Sequence, residues 1–241
     1  MSSVKAIFKK QTKDVVKNMA ILLQFIIYPG IAFAMMSVMD TDVIPAEMLA
    51  AMPNMVIMMA SIFAGMGLIP TVAGIIAEDR EKKSLRFLIM AGVKPSAYLL
   101  GVGGVIFLIS IFTALGFGFV SDFSGQDFWI FVAAIMSGVT ASILLGATFG
   151  IISKNQQSAT GLAMPATMIL GFGPMMAQFN DTIARVLHIF YTQQFSVVAD
   201  SLMGFGSEET ILWHSFAIMW ANVAVLAVLF VFVFTKKGLK G

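Results

Sequence analysis

The sequence predicts an all-α integral membrane protein with six transmembrane helices, and three observations support this fold class. First, the chain of 241 residues is 59% hydrophobic and only 12% charged, about half the charge of an ordinary soluble domain. Second, six apolar runs are long enough to cross a hydrocarbon core of roughly 30 Å as helices. Third, the basic residues are concentrated in the connections on one side of these runs.

The six predicted spans cover residues 19–39, 53–77, 96–120, 128–153, 159–179 and 211–235. Little of the chain remains outside them, so we predict a single transmembrane domain over residues 1–241. The spans contain no Asp, Glu, Lys or Arg, whereas ion-driven carriers usually keep buried ionisable groups as relays. The absence of cysteine excludes disulfides and thiol chemistry.

The distribution of charge predicts the topology. Every Lys and Arg except Arg185 lies before the first span, between the second and third, after the fourth or after the sixth. The positive-inside rule places these segments, and both termini, in the cytoplasm. The net charge of +2 gives no reason to expect a nucleic-acid partner; the expected surrounding is the lipid bilayer of a plasma membrane, and we expect a bacterial one.

The N-terminal residues 1–18 predict a helix lying in the membrane interface, with lysines near anionic head groups. Its apolar stripe, which we expect in the acyl boundary, consists of Val4, Ile7, Phe8, Gln11 and Val15. The alternative is a solvated basic tail. The segment Ala32-Phe33-Ala34 imitates a signal-peptide cleavage site, but the apolar run continues to Met39, so we predict an uncleaved first span.

The long outer connection, residues 180–210, contains too few apolar residues to span the membrane. It predicts a re-entrant or interfacial helical hairpin before the last span, with residues 204–207 as its exit hinge. Four prolines interrupt predicted spans: Pro29, Pro70, Pro165 and Pro174. They indicate either broken helices around a translocation path or plain kinks.

No catalytic or metal-binding pattern is present in the sequence. His188 and His214 lack the spacing of a zinc-protease motif and have no cysteine partner, so no metal site is expected. Some intramembrane proteases have a pair of glutamates with an arginine four residues after the second one. Glu208-Glu209 is such a pair, but Trp213 stands at the arginine position. Without a phosphate-binding Gly-x-x-x-x-Gly-Lys-Ser/Thr loop, the chain is predicted not to bind ATP or act as an enzyme by itself.

A charged segment between the second and third spans is the main functional candidate. Residues 78–92 predict a short amphipathic helix, with an apolar stripe formed by Leu85, Leu88 and Ile89. Its acids come first and its bases last, as the helix dipole favours. A solvated loop that only sets topology would explain the basic residues, but it would explain neither the interleaved acids nor the apolar stripe.

The same segment carries a family resemblance. Residues 76–86 read Ile-Ala-Glu-Asp-Arg-Glu-Lys-Lys-Ser-Leu-Arg and residues 91–101 read Ala-Gly-Val-Lys-Pro-Ser-Ala-Tyr-Leu-Leu-Gly. Together they closely resemble the loop after the second span of ABC-2 type permeases, the membrane subunits of ATP-binding-cassette exporters. That loop typically reads Glu-Arg/Lys-Glu-x-Gly-Thr-Leu, then a turn, then Leu-Leu-Gly-Lys. This chain differs at Lys83, Ser84 and Val102.

The resemblance implies a permease that works with two separate ABC ATPase subunits and a second permease, identical or homologous. ATP and Mg would bind to the ATPases, and this chain would need no cofactor. The charged segment would be a coupling helix that contacts the ATPase through Glu78, Glu81, Ser84, Leu85 and Leu88. A secondary contact would be the turn containing Lys154, Asn155 and Gln156. The translocation path would include Gln24, Tyr28, Asn54, Met58, Met168 and Met175.

The function that this resemblance implies is export of an amphipathic or hydrophobic cargo, such as a bacteriocin-like peptide, an antibiotic or other drug, or a lipid-like molecule. Two alternatives remain open at the level of sequence. One is an ATP-independent carrier or channel, which would transport under an ion gradient without an ATPase. The other is a membrane immunity or sensor protein that uses the coupling helix but transports nothing.

Overall fold

In the computed structural model, which describes residues 3–39, 54–121, 123–204 and 209–237, all regular elements of these residues are helices. They are α1 (Ser3–Lys17), α2 (Met19–Met39), α3 (Met55–Ile62), a π-helical segment (Phe63–Leu68), α4 (Ile69–Glu81), α5 (Ser84–Met90), α6 (Pro95–Val120), α7 (Gly125–Ile152), α8 (Gln156–Phe179), α9 (Asp181–Leu187), α10 (Tyr191–Leu202) and α11 (Glu209–Lys237).

Six helices of the described residues are long and apolar enough to cross a membrane, which confirms the predicted fold class. The spans, in order, are Met19–Val38, Met55–Glu81, Pro95–Val120, Gly125–Ile152, Gln156–Phe179 and Ile211–Lys237. The second span combines α3, the π segment and α4, and it runs four residues beyond its predicted end at residue 77. The chain is therefore a multi-pass membrane protein whose second span carries charged residues in its last turn.

The fourth span lies at the centre of the bundle and packs against the second, third and sixth spans. Glycines permit its close approach to the second span. A Cβ atom on Gly146 would lie 2.6 Å from the carbonyl oxygen of Ile69, and one on Gly150 would lie 2.8 Å from that of Ala73. Helices in lipid associate through such close backbone packing, so these glycines hold the second span against the core.

Pro29 interrupts the first span but does not leave its freed carbonyl unsatisfied. Proline lacks the N–H that would bond to the carbonyl four residues earlier, here that of Phe25. The hydroxyl of Thr113, on the third span, donates to this carbonyl at 3.0 Å. In the second span, the π segment ends at Leu68, two residues before Pro70. Neighbouring helices and local changes of helical pitch thus accommodate both prolines.

The apolar stripe of α1 packs on the protein itself, which differs from the predicted contact with acyl chains. Ile7, Gln11 and Val15 are all at most 5% exposed, because α1 lies along the third span. Gly101 of that span leaves room for the Ile7 side chain. The face of α1 that remains exposed carries the lysines.

The described part of the connection between the fifth and sixth spans folds into two helices, α9 and α10, joined by a short turn. Tyr191 and Phe195 of α10 are buried in the bundle, and the Tyr191 hydroxyl lies 2.8 Å from the Ser142 hydroxyl of the fourth span. On the sixth span, the Asn222 amide donates to the Ile189 carbonyl at 2.8 Å. Gly204, with a φ of 84°, ends this segment; residues 205–207 of the predicted hinge lie outside the described residues.

Candidate functional site

The loop between the second and third spans begins with a change of helix direction. The predicted helix over residues 78–92 is divided: α4 continues to Glu81, and α5 begins at Ser84. Between them Lys83 adopts a left-handed conformation with φ 60° and ψ 6°, which interrupts the helical hydrogen bonding. The family pattern has glycine at this position, and glycine is the residue that adopts this conformation without steric cost.

Asp79 is the centre of a polar cluster that joins four parts of the chain. The cluster lies at the end of the bundle that also contains α1, α5 and the 153–158 turn. We call this end the basic end. The Asp79 side chain is 8% exposed, and the Lys10 ammonium lies 2.5 Å from its Oδ1 atom. The Tyr98 hydroxyl donates to Oδ2 at 3.0 Å. The Ser84 hydroxyl donates to the Asp79 carbonyl at 2.8 Å and lies 3.1 Å from Oδ1. We call these four residues the Asp79 cluster.

The electrostatics of the Asp79 cluster favour a charged Lys10. Partial burial lowers the pKa of the Lys10 amine, but the hydrogen bond and charge of Asp79 outweigh this effect, so the pKa is raised overall. A buried carboxylate requires such a cation or several hydrogen-bond donors to offset its lost hydration. Asp79 has both, and α1 is therefore tied to the loop that starts α5.

Arg80 forms a second connection from the same turn. Its guanidinium donates to the carbonyl of Ile151 at 2.5 Å and to that of Ser153 at 2.9 Å. These carbonyls end the fourth span, where the last helical carbonyls have no partner within the helix, and a cation there also complements the helix dipole. Arg80 therefore links the loop after the second span to the loop after the fourth.

The loop after the fourth span is a tight turn that leads into the fifth span. Asn155 and Ser158 form a capping box: the Asn155 side chain accepts from the Ser158 backbone N–H at 2.8 Å, and the Ser158 hydroxyl accepts from the Asn155 backbone N–H at 3.1 Å. Such caps start helices in a fixed direction. Lys154 and Gln156 of the predicted secondary contact are exposed.

The five predicted coupling contacts have different environments. Leu85 is 1% exposed, and Leu88 packs against the core, so the apolar stripe of α5 attaches this helix to the bundle. The Ser84 hydroxyl is engaged by Asp79, and Glu78 pairs with Lys82 at 2.5 Å. Glu81 is exposed.

A different set of residues forms the exposed surface of α5. Phe87 and Met90 are 65% and 60% exposed, and with a spacing of three residues they share one face of the helix. Glu81, Arg86 and Gly92 are exposed beside them. We call Arg86, Phe87 and Met90 of α5, together with Glu81 at the end of α4, the α5 surface. Large exposed apolar side chains beside charges are typical of interaction sites.

The predicted path residues occupy separate places around the second span. Gln24 of the first span accepts a hydrogen bond from the Thr71 hydroxyl at 3.1 Å, and the Tyr28 ring lies 5.7 Å from the Phe63 ring, edge to face. Asn54 caps the start of α3 through hydrogen bonds to two backbone N–H groups.

On the fifth span, Met168 is 53% exposed and Met175 is partly buried. Met58, in α3, is also partly buried. The structure thus brings Gln24 and Tyr28 against the second span, and it gives Asn54 a capping role at that span's other end.

The π segment is where the first, second and fifth spans meet. A Cβ atom on Gly65 would lie 2.7 Å from the Cα atom of Gly171 in the fifth span, and one on Gly67 would lie 3.1 Å from the Tyr28 ring of the first span. Single-turn π segments occur often at functional sites because they alter the direction of side chains. These three spans are the ones that the resemblance assigns to the path.

The two histidines lie close together, although their sequence separation gave no sign of it. The rings of His188 and His214 are 5.9 Å apart, which joins α9 to the start of the sixth span. Among the described residues, no group of three or more His, Cys, Asp or Glu side chains has a geometry that could hold a metal ion.

The burial of Asp79 was not predicted from the sequence. The predicted second span ended at residue 77, so Asp79 lay outside it. The helical phase gave a usable signal: Val72, Ile76 and Asp79 are spaced by four and three residues and so share one face. Val72 and Ile76 are fully buried, and Asp79 continues their face into the bundle.

One of the comparisons with known proteins identifies a family. No curated protein matches the chain. The model of the family described as ABC-2 family transporter protein matches residues 46–234, which include the second to fifth spans, the α5 surface and most of the sixth span. The chain therefore belongs to the ABC-2 family of transporter proteins.

Proposed function

We propose that this chain is the membrane-spanning permease subunit of an ATP-driven exporter, and that separate ATPase subunits bind its α5 surface. The observation that carries the proposal is this exposed surface, apolar at Phe87 and Met90 of α5 and charged at Glu81, the last residue of α4. The buried Leu85 fixes α5 to the bundle. The family membership supports it. The α5 surface, together with the exposed Lys154 and Gln156 in the second loop, makes up the proposed ATPase interface.

The connections behind the α5 surface suit the transmission of force. Asp79 and Arg80 are adjacent on the last turn of the second span; one binds Lys10 and Tyr98, and the other binds the end of the fourth span. A displacement of α5 by an ATPase would therefore move the second span, α1 and the fourth span as a unit. In this proposal Leu85 and Leu88 anchor α5, and they do not contact the partner.

We infer that the basic end of the bundle is cytoplasmic, because every Lys and Arg of the described residues except Arg185 lies there. Both termini would then be inside the cell, and the α9–α10 hairpin would lie at the outer face, dipping into the membrane. A second permease, identical or homologous, would complete the transporter, which would have two ATPases in all.

The proposed path lies between the first, second and fifth spans, around Gln24, Tyr28 and the π segment. Exposed methionines on the fifth span support an amphipathic or hydrophobic cargo. Met164, Met168 and Met176 are about half exposed, at 48%, 53% and 50%. Methionine is flexible and polarizable, so it adapts to apolar molecules of varied shape. A peptide, an antibiotic or a lipid-like molecule fits this chemistry.

The coupling proposal is tested by combining two changes on the exposed α5 surface, Glu81→Arg and Phe87→Asp. The tagged chain is co-expressed with an ABC ATPase subunit of the same genome, purified and reconstituted in liposomes. We expect the double variant to lose co-purification of the ATPase and to lose transport-linked ATP hydrolysis. Leu85→Asp is unsuitable for this test, because it would place a carboxylate in the core.

Lys13→Glu, an exposed change on α1, is the matched control and should leave the complex intact. Two results would contradict the proposal: ATP-dependent export that survives the double variant, or transport by the chain alone under an ion gradient. Stimulation of ATP hydrolysis by candidate peptides, antibiotics or lipids would identify the cargo class.

A further inference from the structure

A cavity of about 660 Å³ lies at the basic end of the bundle, between α1, the start of the first span and the end of the second. Its polar wall contains three lysines and three carboxylates, and its apolar wall contains aliphatic side chains and a methionine. The charged lining residues are Lys10, Lys17, Lys82, Asp14, Glu78 and Asp79, and the apolar ones are Val15, Met19, Ile21 and Ile75.

Not all of these charges are used within the protein. Glu78 is paired with Lys82, and Asp79 is held by the donors of its cluster. Asp14 lies 3.6 Å from Lys10, and half of its side chain is exposed. Among the described residues, Lys17 makes no ion pair. The Asp14 carboxylate and the Lys17 ammonium therefore line the cavity and can form further hydrogen bonds with a ligand. They are three residues apart on the same side of α1.

Asn18 adds a polar group beside Lys17. Its side-chain oxygen is near the backbone N–H of Ile21, at 3.3 Å, so its amide N–H groups are the part of the side chain available to a ligand as donors. Lys17 and Asn18 together offer donors suited to a phosphate, while Asp14 offers an acceptor suited to an ammonium group.

An apolar track leaves the cavity along the first span. Met19 lines the cavity, and Leu23, Ile26 and Phe33 follow it on the same helical face. The four side chains are 70%, 49%, 68% and 62% exposed. At a rise of about 1.5 Å per residue the track is about 21 Å long, which exceeds the ~15 Å half-thickness of a hydrocarbon core.

We propose that this cavity binds the head group of a zwitterionic phospholipid, with the phosphate at Lys17 and Asn18, the ammonium at Asp14 and an acyl chain along the Met19–Phe33 track. The balanced lining favours a neutral head group over an anionic one, which would face three carboxylates. A primary ammonium is favoured over a quaternary one because it can donate hydrogen bonds to Asp14. Phosphatidylethanolamine has this chemistry.

The site would place a resident lipid against the coupling loop, because Glu78, Asp79, Lys82 and Ser84 also line the cavity. The bound lipid would brace α1 against the last turn of the second span, and none of the four residues of the α5 surface lines its cavity. This assignment does not depend on the identity of the cargo or of the ATPase.

The test uses the full chain, purified in dodecyl maltoside and depleted of lipid, with dioleoyl phosphatidylethanolamine, phosphatidylcholine or phosphatidylglycerol added in mixed micelles. We expect the ethanolamine lipid to raise the Tm most, and native mass spectrometry to show one tightly retained copy per chain. Lys17→Gln and Asp14→Asn should each raise the half-saturating lipid concentration about fivefold or more, since each removes a charge-assisted hydrogen bond at a partly exposed site.

Lys13→Gln is the matched control, because Lys13 is exposed on the same helix but does not line this cavity. Its lipid response should equal that of the wild type. An equal response to all three lipids, an equal loss in Lys13→Gln, or no retained lipid would each overturn the proposal. Net ATP-dependent transfer of a labelled ethanolamine lipid in liposomes would also overturn it, because the lipid would then be cargo rather than a resident ligand.

Discussion

The ammonium of Lys10 lies 2.5 Å from the buried carboxylate of Asp79, and this pair ties the N-terminal helix to the end of the second span. The two residues are 69 positions apart in sequence. The Asp79 side chain is 8% exposed, while that of Lys10 is 49% exposed, so the two partners contribute unequally. Removing the lysine leaves the buried Asp79 carboxylate without its cation, with Tyr98 as its main hydroxyl donor, whereas removing the carboxylate leaves the neutral Tyr98 hydroxyl without its acceptor and a half-exposed Lys10 that water can solvate.

We therefore expect Lys10→Ala to destabilise the protein by about 2–3 kcal/mol and Asp79→Ala by about 1–2 kcal/mol, since a buried charge without its counter-ion costs more than a buried neutral hydroxyl without its acceptor. Thermal unfolding in detergent measures both changes. Lys9→Ala, an exposed neighbour, is the control and should shift the stability by less than about 0.5 kcal/mol. Equal effects of the two cluster variants would argue against this unequal division.

The left-handed conformation of Lys83 predicts a stabilising substitution. A side chain at φ 60° carries a steric cost of roughly 1 kcal/mol that glycine does not have, so Lys83→Gly should raise the Tm despite the greater freedom of glycine in the unfolded chain. Lys83→Ala keeps the Cβ atom and should give no such gain, which separates the steric effect from loss of charge. Ala91→Gly, at a φ of −77°, should lower the Tm.

Much of the fold follows from apolar length and charge distribution, because these two properties decide which segments cross a bilayer and in which direction they lie. The division of the predicted helix 78–92 was not predictable from amphipathicity, since it depends on one residue with a positive φ. A clue was present: Lys83 occupies a position where related loops have glycine. Asp79 lay beyond the predicted end of the second span at residue 77, and its burial follows from the helical phase that it shares with Ile76.

The predicted coupling contacts show a similar limit. The apolar stripe of Leu85, Leu88 and Ile89 correctly indicated an amphipathic helix, but its partner was the protein's own core. Periodicity identifies a face that is buried without identifying what covers it. The exposed Phe87 and Met90, which break that periodicity, are the better candidates for a partner surface.

Arg80 should control the order of the loop after the fourth span. Arg80→Ala removes the donors to the carbonyls of Ile151 and Ser153, and we expect faster amide hydrogen exchange in residues 153–158 and a stability loss of about 1–2 kcal/mol. Arg80→Lys keeps the charge but lacks the planar fork that reaches two acceptors, so it should restore only part of the protection. Unchanged exchange in both variants would contradict the link between the two loops.

The crossing of the second and fifth spans should be intolerant of a methyl group at Gly65. A Cβ atom there would lie 2.7 Å from the Cα atom of Gly171, and because this neighbour is backbone the helices themselves must separate. Gly65→Ala should lower the Tm by several degrees, at a cost of about 1–3 kcal/mol for overpacking. Gly161→Ala, on the same fifth span with open space around it, should be neutral or stabilising. A Gly65→Ala protein with unchanged Tm would show that the crossing is loose.

Helix α10 contains a carboxyl group that should make stability depend on pH. Burial raises the pKa of Asp200 from 3.8 to about 6, so between these values the folded protein binds more protons than the unfolded chain. Its stability therefore falls as the pH rises from about 4 to about 6 and stays low above that range. Asp200→Asn should increase the free energy of unfolding by about 1–2 kcal/mol at neutral pH, after allowance for the partial exposure of the group. It should also flatten the dependence of Tm on pH between 4 and 7. Asp181→Asn, an exposed carboxylate on α9, is the control, and a profile that Asp200→Asn leaves unchanged would assign the titration to another group.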